Sequence, residues 1–210
     1  DQLEPDDTSY TMLIGLRFNG SVNYTLLKRS LQEIIRRHES LRTNFLTIDG
    51  EPRQVIWSER ELSFPCVDMS GISVEAREHE AYRLASDEVQ RPFDLEKGSL
   101  LRGFFFVLDE DESILLLNLH HIISDGWSLG ILQRELFTLY TAFAAGKPSP
   151  LPELSIQYTD FADWQRQYMA SQAAKDMVDY WKRQLEGLQL LELPTDRLRP
   201  AMQSYRGAIE

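Results

Sequence analysis

Three observations predict an α/β fold for this chain. The run Ile114 to Leu119 (Ile-Leu-Leu-Leu-Asn-Leu) is apolar enough to read as a buried strand rather than a surface one. After it, Leu129, Leu132, Leu136, Leu139, Tyr140 and Phe143 recur at the spacing of one helix face. Near the start, Tyr10 to Phe18 alternates, with Met12, Ile14, Leu16 and Phe18 set against Thr11, Leu13, Gly15 and Arg17, and a second helical pattern follows.

That first helix is expected from Val22 to His38, after the Asn19-Gly20 turn, with Leu26, Leu27, Leu31, Ile34 and Ile35 on its buried side. Lys28, Arg29, Arg36 and Arg37 are expected on or near its solvated side. The polar run His38 to Thr43 joins the helix to the next strand, and its side chains are expected to cap the helix and brace that strand. Thr43–Ile48 and Gln54–Trp57 flank Asp49-Gly50-Glu51-Pro52 as a hairpin. Phe64 to Val67 is a further short strand, and its Cys66 is expected to be buried as a small hydrophobe. Val74 to Val89 is helical, with Pro92 beyond its end. Leu100–Leu108 and Ser113–Leu119 are two core strands around the acidic run Asp109 to Glu112, which lacks the spacing and glycine of a calcium loop. Gly146-Lys-Pro-Ser-Pro150 breaks the chain. Two helices follow, Ile156–Gln167 and Ala173–Leu185, whose Trp164, Tyr168, Tyr180 and Trp181 suit a core or an interface.

Bulk properties narrow the function classes. The chain has 210 residues, enough for one domain or a large lobe with a real core. A net charge of −11 argues against nucleic acid as a partner. The longest apolar stretch, around Leu115, is too short and too interrupted to span a bilayer, so no membrane association is expected. One cysteine and no secretion signal fit a reducing, cytoplasmic setting.

Chemistry concentrates in His120-His121-Ile122-Ile123-Ser124-Asp125-Gly126, where a buried strand ends and a helix begins near Ser128, read as its N-cap. Adjacent strand residues point to opposite faces, so the two histidines do not converge on one metal, and no ligand cluster lies nearby. One imidazole can instead do acid/base work while the other serves the structure. Asp125 either orients that base or pins the loop through an ion pair. Gly126 permits a positive φ and close backbone approach. The plainer alternative is a pair of hydrogen-bonded core histidines beside an Asp-Gly turn.

The stretch from His120 to Ser128, with Trp127 inside it, resembles the active-site motif of condensation domains of non-ribosomal peptide synthetases. The bare motif is also similar to that of chloramphenicol acetyltransferase and related acyltransferases. Arg37-His38-Glu39-Ser40-Leu41-Arg42-Thr43-Asn44-Phe45 resembles the second core motif of condensation domains. Tyr158-Thr159-Asp160-Phe161-Ala162-Asp163-Trp164-Gln165 resembles the fourth, with Asp163 where a small or apolar residue is usual. Asp1 to Pro5 resembles the stretch that follows the first motif, and Pro92-Phe93-Asp94-Leu95 the one before the central strands.

This resemblance implies a chloramphenicol-acetyltransferase-like lobe, a mixed β-sheet packed with helices. Residues 1–210 would be the N-terminal lobe, without the first motif and the C-terminal lobe, and 187–210 a connector towards that lobe. The implied reaction is peptide-bond formation between a donor aminoacyl or peptidyl thioester and an acceptor aminoacyl thioester. Both would ride on the 4′-phosphopantetheine of upstream and downstream peptidyl carrier domains, beside an adenylation domain, in antibiotic-type secondary metabolism. The domain itself would bind no cofactor, and this fragment alone would be inactive. By the same resemblance His121 meets the acceptor amine, as general base or as orienter, while His120 is structural. Asp125 holds the loop through an arginine, expected from the second lobe. Gly126 lends its N–H to the oxyanion or leaves room for the phosphopantetheine arm. Ile122-Ile123-Ser124 with Trp127-Ser128 is more similar to domains joining two L-residues than to epimerisation or heterocyclisation domains. The rival functions are another carrier- or coenzyme A-dependent acyltransferase of the superfamily, and a non-catalytic binding platform.

Overall fold

The computed structural model describes residues 8–189, 191 and 193–196. Asp1 to Pro5 and most of the end of the expected connector (190, 192 and 197–210) lie outside the described residues. The chain divides into two compact units between Thr159 and Asp160.

The first unit opens with β1 (Thr11–Asn19), whose burial alternates as its sequence predicts. Helix α1 (Tyr24–Arg37) starts later than expected, because the Asn23 side chain accepts from the Leu26 N–H and so acts as its N-cap. A short 3-10 turn, Glu39–Arg42, leads into β2 (Thr43–Ile48), which pairs antiparallel with β3 (Glu51–Ile56). The turn between them is only Asp49-Gly50. Both residues have positive φ, 54° and 78°, as a tight two-residue hairpin demands, so Glu51 and Pro52 belong to the strand and not to the loop. Within the link, the Arg42 guanidinium donates to the Trp57 carbonyl at 2.6 Å and the Thr43 hydroxyl to the Glu39 carbonyl at 2.7 Å, the bracing its sequence suggests.

The remaining strands build the main sheet with β1. They are β4 (Cys66–Asp68), β5 (Leu101–Asp109) and β6 (Glu112–His120), in the order β1-β6-β5-β4. β6 pairs antiparallel with both neighbours while β4 runs parallel to β5, so the sheet is mixed. Because β4 is three residues long and lies at the sheet edge, Cys66 is exposed, contrary to the buried position expected of it. The acidic turn between β5 and β6 is ion-paired: Arg77 reaches Asp109 at 2.9 Å and Arg17 reaches Glu112 at 2.7 Å.

Helices cover both faces of the sheet. Leu115, Leu117 and Leu119 of β6 point towards α1 and α3 (Gly126–Ala144), in a core with Leu31, Ile34, Leu136 and Leu139. The intervening Leu116 packs on the other side with Met69, Phe106, Leu108 and Ala81 of α2 (Val74–Val89). This strict alternation is the reason the run reads as uniformly apolar: both of its faces are covered. Arg102 of β5 ties the end of α2 to the sheet, bonding to the Glu88 carboxylate and lying 3.7 Å from the Phe93 ring centroid. Asn118 donates to the Glu88 carbonyl at 3.1 Å on the same side.

The second unit holds most of α4 (Tyr158–Met169) and all of α5 (Gln172–Leu185). Trp164 stacks on Tyr168 with centroids 5.5 Å apart, yet Trp164, Tyr180 and Trp181 are all exposed, so these aromatics are not core. No helix of the described residues is long and apolar enough to cross a membrane.

Candidate functional site

The alternation along β6 decides which histidine faces which side. Counting on from Leu119, His121 falls on the α1/α3 side, and it lines a cavity of about 290 Å³ together with Leu119, Ile34, Leu41 and Leu132. The chain turns just there. The His121 N–H donates to the Tyr10 carbonyl at 2.7 Å, and the Ile123 N–H folds back onto the His120 carbonyl at 3.1 Å. The His121 side chain is exposed and makes no hydrogen bond among the described residues.

His120 faces the other way. Its Nδ1 accepts the Ile122 N–H at 3.0 Å, so the ring proton of the neutral form sits on Nε2. Phe93 meets the ring edge-on at 5.9 Å and Tyr10 stacks at 6.4 Å. Burial pushes the imidazole below its ordinary pKa, which keeps it neutral. A half-buried ring with one nitrogen already committed is poorly placed to exchange protons with a substrate.

Asp125, not Ser128, is the N-cap of α3. Its Oδ1 accepts the Ser128 N–H at 2.8 Å, and Ser128 Oγ accepts the Asp125 N–H at 3.1 Å, a reciprocal capping box. Both residues are good caps in sequence; the chain leaves the turn three residues earlier than expected, which makes Ser128 the third helical residue. Hydrogen bonds from Ser128, side chain and backbone, hold the Asp125 carboxyl below the usual carboxylate range. No arginine pairs with Asp125 among the described residues. Gly126 is the first residue of α3, and its φ is not positive, so the conformational freedom expected of it is not used. A side chain there would meet nothing within 4 Å, leaving open space beside the helix N-terminus.

Two further polar residues reach this region from positions not singled out as site residues. His38, the C-cap of α1, lines the same cavity as His121, and its Nε2 lies 2.9 Å from Glu135 Oε2 on α3. Arg37, expected on the solvated side of α1, is buried instead: its Nε and Nη2 reach the same carboxylate at 3.4 Å, and Nη1 donates to the Pro152 carbonyl at 2.7 Å. Burial alone would raise the Glu135 pKa. Hydrogen bonds from His38 and Arg37 outweigh it, and the carboxyl stays below its ordinary range, ionised at neutral pH. The sequence holds one signal of this: Glu135 interrupts the apolar stripe of Leu132, Leu136 and Leu139.

The arrangement therefore joins a mostly apolar cavity to one unencumbered imidazole. That imidazole can take a proton from a nucleophile placed beside it. Among the described residues no group of three or more His, Cys, Asp and Glu side chains could hold a metal ion.

The family model described as the condensation domain matches residues 1–210. A linear gramicidin synthase from Brevibacillus parabrevis is 45% identical over 209 residues, which is 99% of this chain and 3% of that protein. The starter condensation domain of rhizomide synthetase RzmA superposes with a TM-score of 0.82 at 20% identity, over 90% of this chain and 45% of that one. The X-domain in complex with OxyB, from teicoplanin biosynthesis, gives a TM-score of 0.77 at 26% identity, over 92% of this chain and 42% of that one. The chain thus spans a small part of the curated relative it matches and under half of each of these solved chains.

Proposed function

We propose that this chain, which belongs to the condensation-domain family, contributes His121 to peptide-bond formation between two thioesters carried on phosphopantetheinyl carrier domains. The observation that carries the reading is the His121 imidazole, free of hydrogen bonds among the described residues, on the wall of a mostly apolar cavity at the end of a buried strand. The acceptor amine attacks the donor thioester carbonyl and a C–N bond forms. The tetrahedral intermediate then collapses with cleavage of the C–S bond, and the amine proton passes by way of His121 to the departing phosphopantetheine thiolate. His120 supports the turn, Asp125 fixes the start of α3, and the Gly126 N–H is available to the oxyanion.

Carrier domains upstream and downstream and an adenylation domain are the partners this reading requires, in a cytoplasmic synthetase whose products belong to antibiotic-type secondary metabolism. The domain needs no cofactor of its own beyond the carriers' arms. Residues 1–210 alone form no dipeptide on this reading, since a solved condensation domain runs to about twice the matched length.

The test takes the complete condensation domain with both carriers loaded, and follows dipeptidyl-carrier formation by intact mass. Dipeptide from wild type, lost in His121→Ala with carrier binding retained, supports the reading. Carrier binding without dipeptide from any aminoacyl pair would move the protein to a binding platform, the use suggested by the X-domain's complex with OxyB.

A further inference from the structure

The cavity beside His121 has a second imidazole whose role the reaction above does not use. Its walls are aliphatic, supplied by Ile34, Leu41, Leu119, Leu129 and Leu132. At about 290 Å³ it lies at the small end of ligand sites, with room for one substrate side chain.

Most polar groups around it are used within the protein. Asp125 and Ser128 bond to each other, and the Ser124 hydroxyl donates to the His120 carbonyl at 3.4 Å. Gln157 accepts the Glu39 N–H at 3.1 Å and donates to the Arg37 carbonyl at 2.9 Å, which engages both ends of its amide. His38 differs. An ionised carboxylate can only accept, so in the neutral His38 ring Glu135 fixes the proton on Nε2. In that neutral form Nδ1 carries the lone pair, and it has no hydrogen-bond partner among the described residues. Arg37 completes the support: it holds Glu135 from the other side, so the carboxylate that orients the ring is itself anchored.

We infer that His38 is the recognition group of this cavity, its Nδ1 accepting a hydrogen bond from an aminoacyl side chain with an apolar body and an O–H or N–H at its tip. The inference rests on the condensation reading for the identity of the ligand as an aminoacyl thioester. Donor and acceptor residues share that chemistry, and the charge on Glu135 makes the tautomer, and hence the preference for a hydrogen-bond donor, a property of the fold.

The probes are aminoacyl N-acetylcysteamine thioesters in pairs that differ by one donor: tyrosine against phenylalanine, and threonine against valine. Binding to the complete domain is read by calorimetry and by ¹⁵N NMR of the histidine rings, neither of which requires turnover. The expected result is a preference of about tenfold for the hydroxylated member of at least one pair. The His38 Nδ1 resonance moves with that member alone. His38→Leu abolishes the preference while the phenylalanine and valine probes still bind, and His38→Gln, which keeps an acceptor, retains part of it. Equal affinity within both pairs, or a preference that survives His38→Leu, overturns the proposal. Carrier-bound tyrosine placed first on the donor and then on the acceptor side assigns the side served. If no dipeptide forms anywhere while the binding preference holds, the condensation reading fails and the recognition role of His38 stands.

Discussion

Asp125 and Ser128 hold each other across the first turn of α3: the Ser128 N–H donates to Asp125 at 2.8 Å and the Asp125 N–H to Ser128 at 3.1 Å. The carboxylate of the motif is therefore occupied by the backbone of its own chain before any partner arrives. Asp125→Ala removes the cap and is expected to cost about 1 kcal/mol in denaturant unfolding. Asp125→Asn keeps an equally good cap, so its stability stays near wild type. If Asp125→Asn also loses condensation, the carboxylate has a second task that capping does not cover. The depressed carboxyl sets the pH sign: its contribution is present above the ordinary carboxylate range and is lost as pH falls through the lower folded value.

His121→Ala is expected to leave stability within about 0.5 kcal/mol of wild type, because the exposed ring makes no hydrogen bond among the described residues. On the proposed chemistry its rate of dipeptide formation falls about a hundred- to ten-thousand-fold. Thermal unfolding and the carrier assay on one preparation check both halves. An unchanged rate would hand the acceleration to positioning alone.

Glu135→Ala tests the buried cluster. It strands the Arg37 guanidinium, whose side chain is 2% exposed, and is expected to cost about 3–5 kcal/mol. Replacing both partners, Arg37→Met with Glu135→Leu, should recover most of that loss, because no charge is then left buried alone. Acid titration of the wild type supplies the linkage. The Glu135 contribution is complete above the ordinary carboxylate range and disappears as pH falls through its depressed folded value.

His120 gives a separate pH signature. The native ring is neutral with its pKa pushed down by burial, so below the ordinary imidazole range the unfolded chain binds a proton that the native state resists. Stability should fall as pH drops from the ordinary imidazole value towards the folded one, and be flat above it. His120→Leu removes that dependence and takes away the acceptor of the Ile122 N–H, an exposed bond whose donor turns to water, at a cost of about 0.5–1.5 kcal/mol.

What is legible in the sequence follows from short-range pattern. The double-faced burial of β6, the helix over Leu129 to Phe143 and the opposed directions of His120 and His121 all come from periods of 2 and 3.6 within a dozen residues. The misplaced features depend on partners far along the chain. Arg37 looks solvated on a helical wheel and is buried because Glu135, 98 residues on, supplies its counter-charge. For the same reason His38 reads as a helix cap until α3 is packed against α1. Cys66 looks like a core residue because the length of β4 and its place at the edge are tertiary facts.

Gly103 offers a test of the core with a sign that local preference gets wrong. In mid-strand, alanine ordinarily gains about 0.5–1 kcal/mol over glycine. Here an added Cβ would lie 2.9 Å from Leu117 Cδ2 and 2.9 Å from Phe64 Cδ2. Phe64 is wedged in turn between Tyr24, stacked at 5.4 Å, and Phe105 at 6.5 Å, so its ring has little room to retreat. Overpacking of this kind costs about 1–3 kcal/mol, which outweighs the strand preference. Gly103→Ala is therefore expected to lower the unfolding midpoint without changing the denaturant slope. A stabilised Gly103→Ala variant would mean that Phe64 and Leu117 yield freely, and that this face of the sheet beneath α1 is packed more loosely than its burial implies.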